Sequence, residues 1–227
     1  MSDSNSSPIL SHKYFDQPSV FTPENLLREA RRQKKLTSQN VPEICILDPD
    51  GDIVDSLITS KKAHPNPHWA CYHTKLYDFE CDGIKFGIIG CGVGSSFAVL
   101  VAEELFASGC QLLVSMTSAG QILPMQKPPY FMLIEKALRD EGTSYHYLPP
   151  SEYSRIDKNL FEIIVDSFDK TVVPVHIGST WTTAAPFRET TAAIEYCRAQ
   201  GILAVEMEAA ALYAFAQARH KPVICFA

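Results

Sequence analysis

The chain has 227 residues, of which 46% are hydrophobic and 20% charged, a composition typical of one ordinary globular domain. Its net charge of −6 argues against a general nucleic-acid-binding protein, which is usually basic. Residues 1–7 are polar and lack the apolar stretch of a secretory signal, and no apolar run is long enough to cross a membrane. We therefore expect a protein that binds neither nucleic acid nor membranes.

Seven cysteines are scattered along the chain, and no two of them form a CxxC pair. A zinc ribbon or a thioredoxin-like site is therefore not expected. Several of these cysteines lie in apolar runs, where cysteine behaves as a small core residue. This odd and scattered set predicts reduced thiols and a cytoplasmic protein.

The N-terminal part begins with a Ser- and Pro-rich stretch, residues 1–20, which predicts a tail that is disordered or lies over a neighbouring surface. A helix is predicted to begin at Thr22, because this N-cap residue is followed by Pro23 and Glu24. The basic stretch 31–35 fits the solvated C-terminal end of that helix, where cations are favoured. Contact with nucleic acid is the alternative, which the acidic net charge disfavours.

The rest of the chain alternates between apolar runs of strand length and helical patterns. The predicted strands cover residues 43–47, 84–89, 112–115, 130–134, 172–177 and 223–226. The helical patterns cover residues 96–108 and 204–218. This alternation predicts an α/β fold, a three-layer α/β/α sandwich around a central mixed sheet. With no internal repeat and no linker, residues 21–227 predict a single domain.

A glycine-rich loop at residues 90–96 follows a predicted strand and leads into a helix. Glycines allow a sharp turn and a close approach to a ligand, and the helix N terminus offers unpaired N–H groups. A dinucleotide site is one interpretation, but the spacing only approximates GxGxxG because Ser95 stands where the last glycine should be. A tight turn without a ligand is the alternative.

Two carboxylates, Glu206 and Glu208, interrupt an apolar run in which a strand ends and a helix begins. Burying two acids is costly unless each has partners. A vicinal diol supplies them, because each hydroxyl can donate a charge-assisted hydrogen bond to a carboxylate. Met207 between them offers a flexible apolar surface for a sugar face. The alternative is a helix start whose acids complement the helix dipole.

This run resembles the nucleoside phosphorylase family, which includes purine nucleoside phosphorylase, uridine phosphorylase and methylthioadenosine nucleosidase. Its most specific element is VEMEAA at residues 205–210, which the family uses to hold the ribose hydroxyls. Five further segments follow the order of the family's first phosphate loop, glycine loop, second phosphate turn, uridine phosphorylase-like segment and base-binding segment: 48–52, 92–96, 117–120, 137–147 and 182–190.

The resemblance implies an enzyme that cleaves the N-glycosidic bond of a ribonucleoside with phosphate, giving a free base and ribose 1-phosphate. In this interpretation Glu208 is catalytic, because it favours the positive charge that grows on the sugar as the base leaves. The ribose would be held by Glu206, Met207, Glu208, Gly94 and Ser95. Phosphate, the co-substrate, would be held by Gly51, Ser118, Ala119 and Gly120. The base would contact Thr183, Phe187 and Arg188. The resemblance implies no metal or other cofactor, and it implies a homo-oligomer, either a dimer or a hexamer.

Two positions depart from the phosphorylase pattern. Asp55 and Ser115 stand where the family's phosphorylases usually carry arginines. Their loss removes two bidentate phosphate donors, and a carboxylate at Asp55 would repel phosphate. The hydrolytic branch of the family has a carboxylate near this place, so Asp55 is a candidate general base that activates water. The alternative is that Asp55 lies on the surface of the following helix.

The end of the chain also departs from the pattern. In the family, the strand matching 223–226 leads to a residue beside the leaving base and then to a closing helix, whereas this sequence stops at Ala227. We therefore expect a truncated sequence. A nucleosidase and a catalytically silent nucleoside-binding protein remain alternatives to the phosphorylase, and the preferred base is open.

Overall fold

The computed structural model of the protein describes residues 7–168 and 173–227. The helices are α1 (Pro23–Lys34), α2 (Asp52–Thr59), α3 (Ser95–Ala107), α4 (Lys158–Ile164), α5 (Thr191–Ala199) and α6 (Ala209–Arg219). The strands are β1 (Ile44–Asp48), β2 (Ala63–Pro65), β3 (Tyr77–Cys81), β4 (Ile84–Gly90), β5 (Leu112–Met116), β6 (Gly120–Gln121), β7 (Phe131–Asp140), β8 (Tyr153–Arg155), β9 (Val175–Thr183), β10 (Ala204–Glu206) and β11 (Val223–Phe226). Short 3₁₀ turns occur at Thr143–His146 and Pro186–Arg188.

The local signals locate α1, α3 and α6 and the strands β1, β4, β5, β7, β9 and β11, whereas α2, α4, α5, β2, β3, β6 and β8 were not predicted. The Thr22 hydroxyl accepts the N–H of Asn25 (3.3 Å) and caps α1, as predicted. The strand predicted at residues 130–134 is only the first half of β7, which continues to Asp140. The strand predicted at 172–177 begins at a residue outside the described ranges, and β9 there extends further than predicted, to Thr183. Both extensions replace predicted loop with strand, because pairing between β7 and β9 overrides local sequence preference.

All strands belong to one mixed sheet in the order β2-β3-β4-β1-β5-β11-β7-β9-β10-β6, with β8 paired to β7. Strands β4, β1, β5 and β11 run parallel to one another, and the β7–β9–β10 group runs antiparallel to β11. The predicted α/β fold around a central mixed sheet is thereby confirmed.

The sheet is strongly curled. Strands β5 and β6 are separated by residues 117–119 only, yet β6 pairs with β10 at the far end of the strand order. Five strand spacings in a flat sheet would separate them by about 24 Å, whereas the connecting backbone reaches at most about 14 Å. The sheet must therefore curl until its second half lies beside the end of β5.

Helix α6 lies in the middle of the molecule, and its residues 209–216 are all buried. Its alanines let neighbouring elements approach closely, while Tyr213 fills space and is fully buried. The Tyr213 hydroxyl donates to the Ile134 carbonyl (2.5 Å) and accepts the Cys225 N–H (3.1 Å), so it joins β7 and β11. A helix apolar on all sides is expected in such a core position.

Residues 7–20 contain turns but no helix or strand, and they lie along the body of the protein. Arg219, for example, reaches Ser19 (3.5 Å). The rest of the predicted tail, residues 1–6, lies outside the described residues. All seven cysteines are free thiols. Within the described ranges, every helix is too short or too polar to span a bilayer.

Candidate ribose and base cleft

The curl of the sheet brings together three connections: the glycine loop after β4, the turn at 117–119 after β5, and residues 207–208 between β10 and α6. A cleft of about 210 Å³ lies between them. Every charged residue that lines the cleft is an acid, and no lysine, arginine or histidine of the described residues lines it. These acids are Asp50, Glu189, Glu206 and Glu208.

Glu206 is saturated by hydrogen bonds from the protein. Its Oε1 accepts the hydroxyls of Thr180 (3.0 Å) and Thr182, and its Oε2 accepts the N–H groups of Glu208 (2.7 Å) and Ala209 (2.7 Å). These four bonds match the approximate capacity of a carboxylate. The predicted role of Glu206 as a direct ribose ligand therefore needs revision: this side chain shapes the turn that presents Glu208.

Glu208 is satisfied on one side only. Its Oε1 accepts the Gly94 N–H (2.6 Å), whereas its Oε2 is buried and has no hydrogen-bond partner among the described residues. Burial raises the pKa of the Glu208 carboxyl to about 7; the charge of Glu206 raises it further, while the Gly94 N–H and the nearby Thr117 hydroxyl oppose the rise. The Thr117 hydroxyl itself donates to the Ser118 carbonyl (3.2 Å). Glu208, a residue that lines the cleft, thus has one buried carboxylate oxygen that receives no donor from the described residues.

The glycine loop positions this carboxylate. Gly94 has φ +97°, which a residue with a side chain rarely adopts, and this conformation aims its N–H at Glu208. The Ser95 hydroxyl donates to the Met207 carbonyl (2.7 Å). The structure therefore brings together the predicted ribose residues Gly94, Ser95, Met207 and Glu208, although the Ser95 hydroxyl already donates to a backbone carbonyl.

The predicted phosphate donors are already occupied by carboxylates. The Gly51 N–H donates to the carbonyl (3.1 Å) and to Oδ1 (3.1 Å) of Asp48. The Ser118 N–H and hydroxyl donate to the two carboxylate oxygens of Asp50 (2.6 and 3.1 Å). Ser118, Ala119 and Gly120 line the cleft. The anion that meets the Ser118 donors in this structure is therefore the protein's own Asp50.

Four predicted residues lie elsewhere. Asp55 is exposed on the first turn of α2 and does not line the cleft, which favours the surface-helix alternative over the general-base hypothesis. Phe187 is 98% exposed and Arg188 is exposed, and neither lines the cleft in this single chain. Thr183 is buried and accepts the Ala185 N–H (3.2 Å), so it supports the segment before Pro186 rather than facing a base.

The structure adds residues that the sequence analysis did not select. Asp50 is predictable from the sequence, because it follows β1 and the carboxyl ends of parallel strands commonly carry ligand-binding residues. Thr180 and Thr182 are also predictable as a pair, since residues two apart on a strand share a face. Pro186 and Glu189, which line the cleft, had no comparable signal.

The Phosphorylase superfamily model matches residues 43–227, and the chain belongs to this superfamily. The guanosine phosphorylase of Halorubrum lacusprofundi is 24% identical over 144 residues, which are 63% of this chain and 59% of that protein. The uridine phosphorylase of Thermococcus kodakarensis is 26% identical over 111 residues, which are 49% of this chain and 39% of that protein. The chain thus covers less than two thirds of either relative.

Solved structures agree on the fold. A crystal structure of uridine phosphorylase from Vibrio fischeri superposes with a TM-score of 0.72 at 19% identity, over 86% of this chain and 83% of that one. A second structure of the same enzyme gives a TM-score of 0.71 at 20% identity, over 95% and 84% of the two chains. The resemblance found in the sequence is confirmed at the level of the family and its fold, which favours it over the dinucleotide interpretation of the glycine loop.

Proposed function

We propose that this protein binds a ribonucleoside in the acidic cleft and cleaves its N-glycosidic bond. The observation that carries this proposal is Oε2 of Glu208, a buried acceptor that meets no donor within residues 7–168 and 173–227. Such an atom costs about 1–3 kcal/mol until a donor reaches it. A ribose hydroxyl supplies that donor, and the neighbouring Met207, which is only partly buried, offers the sugar an apolar surface.

The same carboxylate supports the chemistry. As the bond to the base breaks, the sugar gains oxocarbenium character, and a fixed negative charge beside it lowers the barrier. Glu206 adds a second acid behind Glu208, and its four hydrogen bonds hold the turn rigid. Glu208 thus combines sugar binding with electrostatic stabilisation.

Phosphate and water are the two candidate molecules that attack the sugar as the base leaves. The names of the relatives suggest phosphate. The charges of the cleft favour water, because no basic side chain of the described residues lines it and Asp50 occupies the Ser118 donors. The Asp50 carboxylate at the Ser118 donors repels a phosphate dianion. The same carboxylate is suited to accept a proton from water. We therefore infer hydrolysis, with Asp50 as the candidate base, and keep phosphorolysis as the second candidate.

Release of base from uridine, inosine and guanosine, measured with and without phosphate, tests both candidates. Hydrolysis predicts release without phosphate and a loss of about 100-fold or more in Asp50→Asn, the usual scale of general-base catalysis. Asp55→Asn is the matched control, since it removes an exposed acid from α2 outside the cleft. Strict dependence on phosphate would establish phosphorolysis instead. Saturable nucleoside binding without release in either condition would identify a silent binding protein.

The base remains unassigned, because the relatives include both a guanosine and a uridine phosphorylase. The homo-oligomer and the cytoplasmic location stay predictions. Sedimentation of the purified chain tests the first, and Phe187, which is almost fully exposed in the single chain, is the residue to examine for burial between copies.

A further inference from the structure

The Asp48 carboxylate is buried under the turn that carries Asp50. Asp48 is the last residue of β1 and is only 2% exposed. Its Oδ1 accepts the Gly51 N–H (3.1 Å), and its Oδ2 accepts the Val54 N–H (2.9 Å). Burial raises the pKa of the Asp48 carboxyl, and these N–H groups oppose the rise. Because Asp50 lies between Asp48 and Gly51 in the chain, the first of these bonds closes a short turn around Asp50.

Backbone contacts join this turn to the glycine loop. The Asp48 carbonyl accepts the N–H groups of Gly51 and Cys91 at 3.1 Å each. Strand pairing places Asp48 opposite Gly90. A Cβ atom on Gly90 would lie 3.3 Å from the Gly51 Cα atom, so the two segments leave little room for a side chain between them. Direct packing therefore fixes the spacing between the turn and the start of the glycine loop.

The turn also sets where the Asp50 carboxylate lies. Its two oxygens accept the N–H (2.6 Å) and the hydroxyl (3.1 Å) of Ser118, a residue of the turn after β5. Asp50 and Glu208 both line the ribonucleoside cleft, whereas Asp48 does not. A displacement of the turn would therefore move Asp50 relative to Ser118 and Glu208.

Helix capping explains only one of the two side-chain bonds of Asp48. The N-cap residue of α2 is Gly51, which has no side chain, so Asp48 supplies the acceptor for the Val54 N–H in the first turn. The bond to the Gly51 N–H instead holds Gly51 at φ +91°, the conformation in which the chain leaves the turn. The buried carboxylate thus shapes the turn in addition to capping the helix.

We propose that Asp48 is a positioning residue, whose carboxylate holds the turn so that Asp50 can accept a proton from water beside the bound sugar. This inference rests on the function proposed above, in which Asp50 is the base. In that step the water oxygen bonds to C1′ while its proton moves to Asp50, and the nucleobase leaves with the electron pair of the broken bond and takes a proton from solvent. Proton transfer requires an acceptor within hydrogen-bond reach. A displacement of about 1 Å can lower the rate about 100-fold.

Asp48→Asn tests this role by steady-state kinetics on the full chain. The asparagine keeps one acceptor but presents its NH₂ group to the other N–H, so one of the two bonds is lost. With whichever of uridine, inosine and guanosine the wild type cleaves, kcat should fall about 10-fold or more. KM should change by less than about 2-fold, because Glu208 still holds the sugar. Asp52→Asn is the matched control and should leave both constants unchanged, since it removes an exposed acid from the first turn of the same helix.

A double variant separates positioning from a purely structural role. If Asp48 acts through Asp50, the variant with both Asp48→Asn and Asp50→Asn should be no slower than Asp50→Asn alone. Independent roles would multiply the two losses. Multiplied losses, or a wild-type kcat in Asp48→Asn, overturn the inference alone. Full activity in Asp50→Asn would overturn the proposed role of Asp50 and the inference with it, so the two failures are distinguishable.

Hydrogen exchange of the Ser118 amide provides a readout that does not depend on catalysis. The bond to Asp50 protects this N–H, so displacing the turn in Asp48→Asn should speed its exchange about 5-fold or more, and Asp52→Asn should not change it. Asp48→Ser is the second variant if Asp48→Asn does not fold. Its shorter side chain has a single oxygen that cannot reach both N–H groups, so the same changes are expected. Unchanged Ser118 exchange in the variant that folds overturns the inference.

Discussion

Replacing Glu208 by Gln tests the ribose site most directly. The glutamine carbonyl can still accept the Gly94 N–H, which the glutamate holds at 2.6 Å. Its amide NH₂ then stands at the place of Oε2 and presents a donor to a hydroxyl that needs an acceptor. A charge-assisted hydrogen bond is worth about 1.5–3 kcal/mol, so ribonucleoside affinity should fall about 10- to 150-fold.

The measurement is a titration of the wild type and Glu208→Gln with a ribonucleoside and with its 2′,3′-dideoxy analogue. The dideoxy compound lacks both hydroxyls, so the substitution should hardly change its affinity. Wild-type binding of the ribonucleoside should also strengthen as the pH rises through about 7, where Glu208 ionises, and the variant should lose this dependence. Equal losses for the two ligands would show that Glu208 does not hold the diol.

Three further predictions concern stability, each measured by urea unfolding. Burial raises the pKa of Glu208 from 4.5 to about 7, so protonated Glu208 contributes stability below about pH 4.5, and this stability is lost as the pH rises through about 7. Glu208→Gln should remove this loss, which amounts to about 3 kcal/mol. An unchanged dependence of stability on pH in the variant would contradict this prediction. Thr182→Val removes a hydroxyl bonded to buried Glu206 and should cost about 2 kcal/mol, whereas Thr182→Ser should cost much less; equal costs would show that the hydroxyl is unimportant. Gly51→Ala should cost about 1–2 kcal/mol from its positive φ alone, and more because the new Cβ would lie 2.7 Å from the Cys91 sulfur; removing that sulfur in Cys91→Ala should relieve only the second part.

Local sequence signals were sufficient wherever a structure depends on neighbours in the chain. The cap at Thr22, the strand runs of β1, β4, β5 and β11, and the strand-to-helix change around Glu206 all follow from periodicity and turn chemistry. The resemblance was also a local signal, since short motifs in a fixed order identified the family that the comparisons confirm.

Local signals failed where a contact joins distant segments. Asp55 was selected by its position in an aligned motif, but the turn of α2 directs it to solvent, while Asp50 five residues earlier reaches Ser118, 68 residues away in sequence. Phe187 was expected to pack on a base, yet it lies outside the cleft of the single chain. Hydrophobic periodicity does not indicate which of two nearby acids will accept a hydrogen bond from a residue far away in the sequence.

The sequence by itself determined that two acids interrupt an apolar run where a strand ends and a helix begins, and burial of that run predicts that the acids need partners. Only the tertiary structure decided that the two carboxylates accept different numbers of hydrogen bonds. The pairing of β9 with β10 places Thr180 and Thr182 beside Glu206, whose other oxygen accepts two local N–H groups. Glu208 receives only the Gly94 N–H, on one of its oxygens. The physical reason is that the number of hydrogen bonds a buried carboxylate receives depends on which donors the fold places beside it. The side-chain donors to Glu206 and the Gly94 N–H that reaches Glu208 come from other segments of the chain.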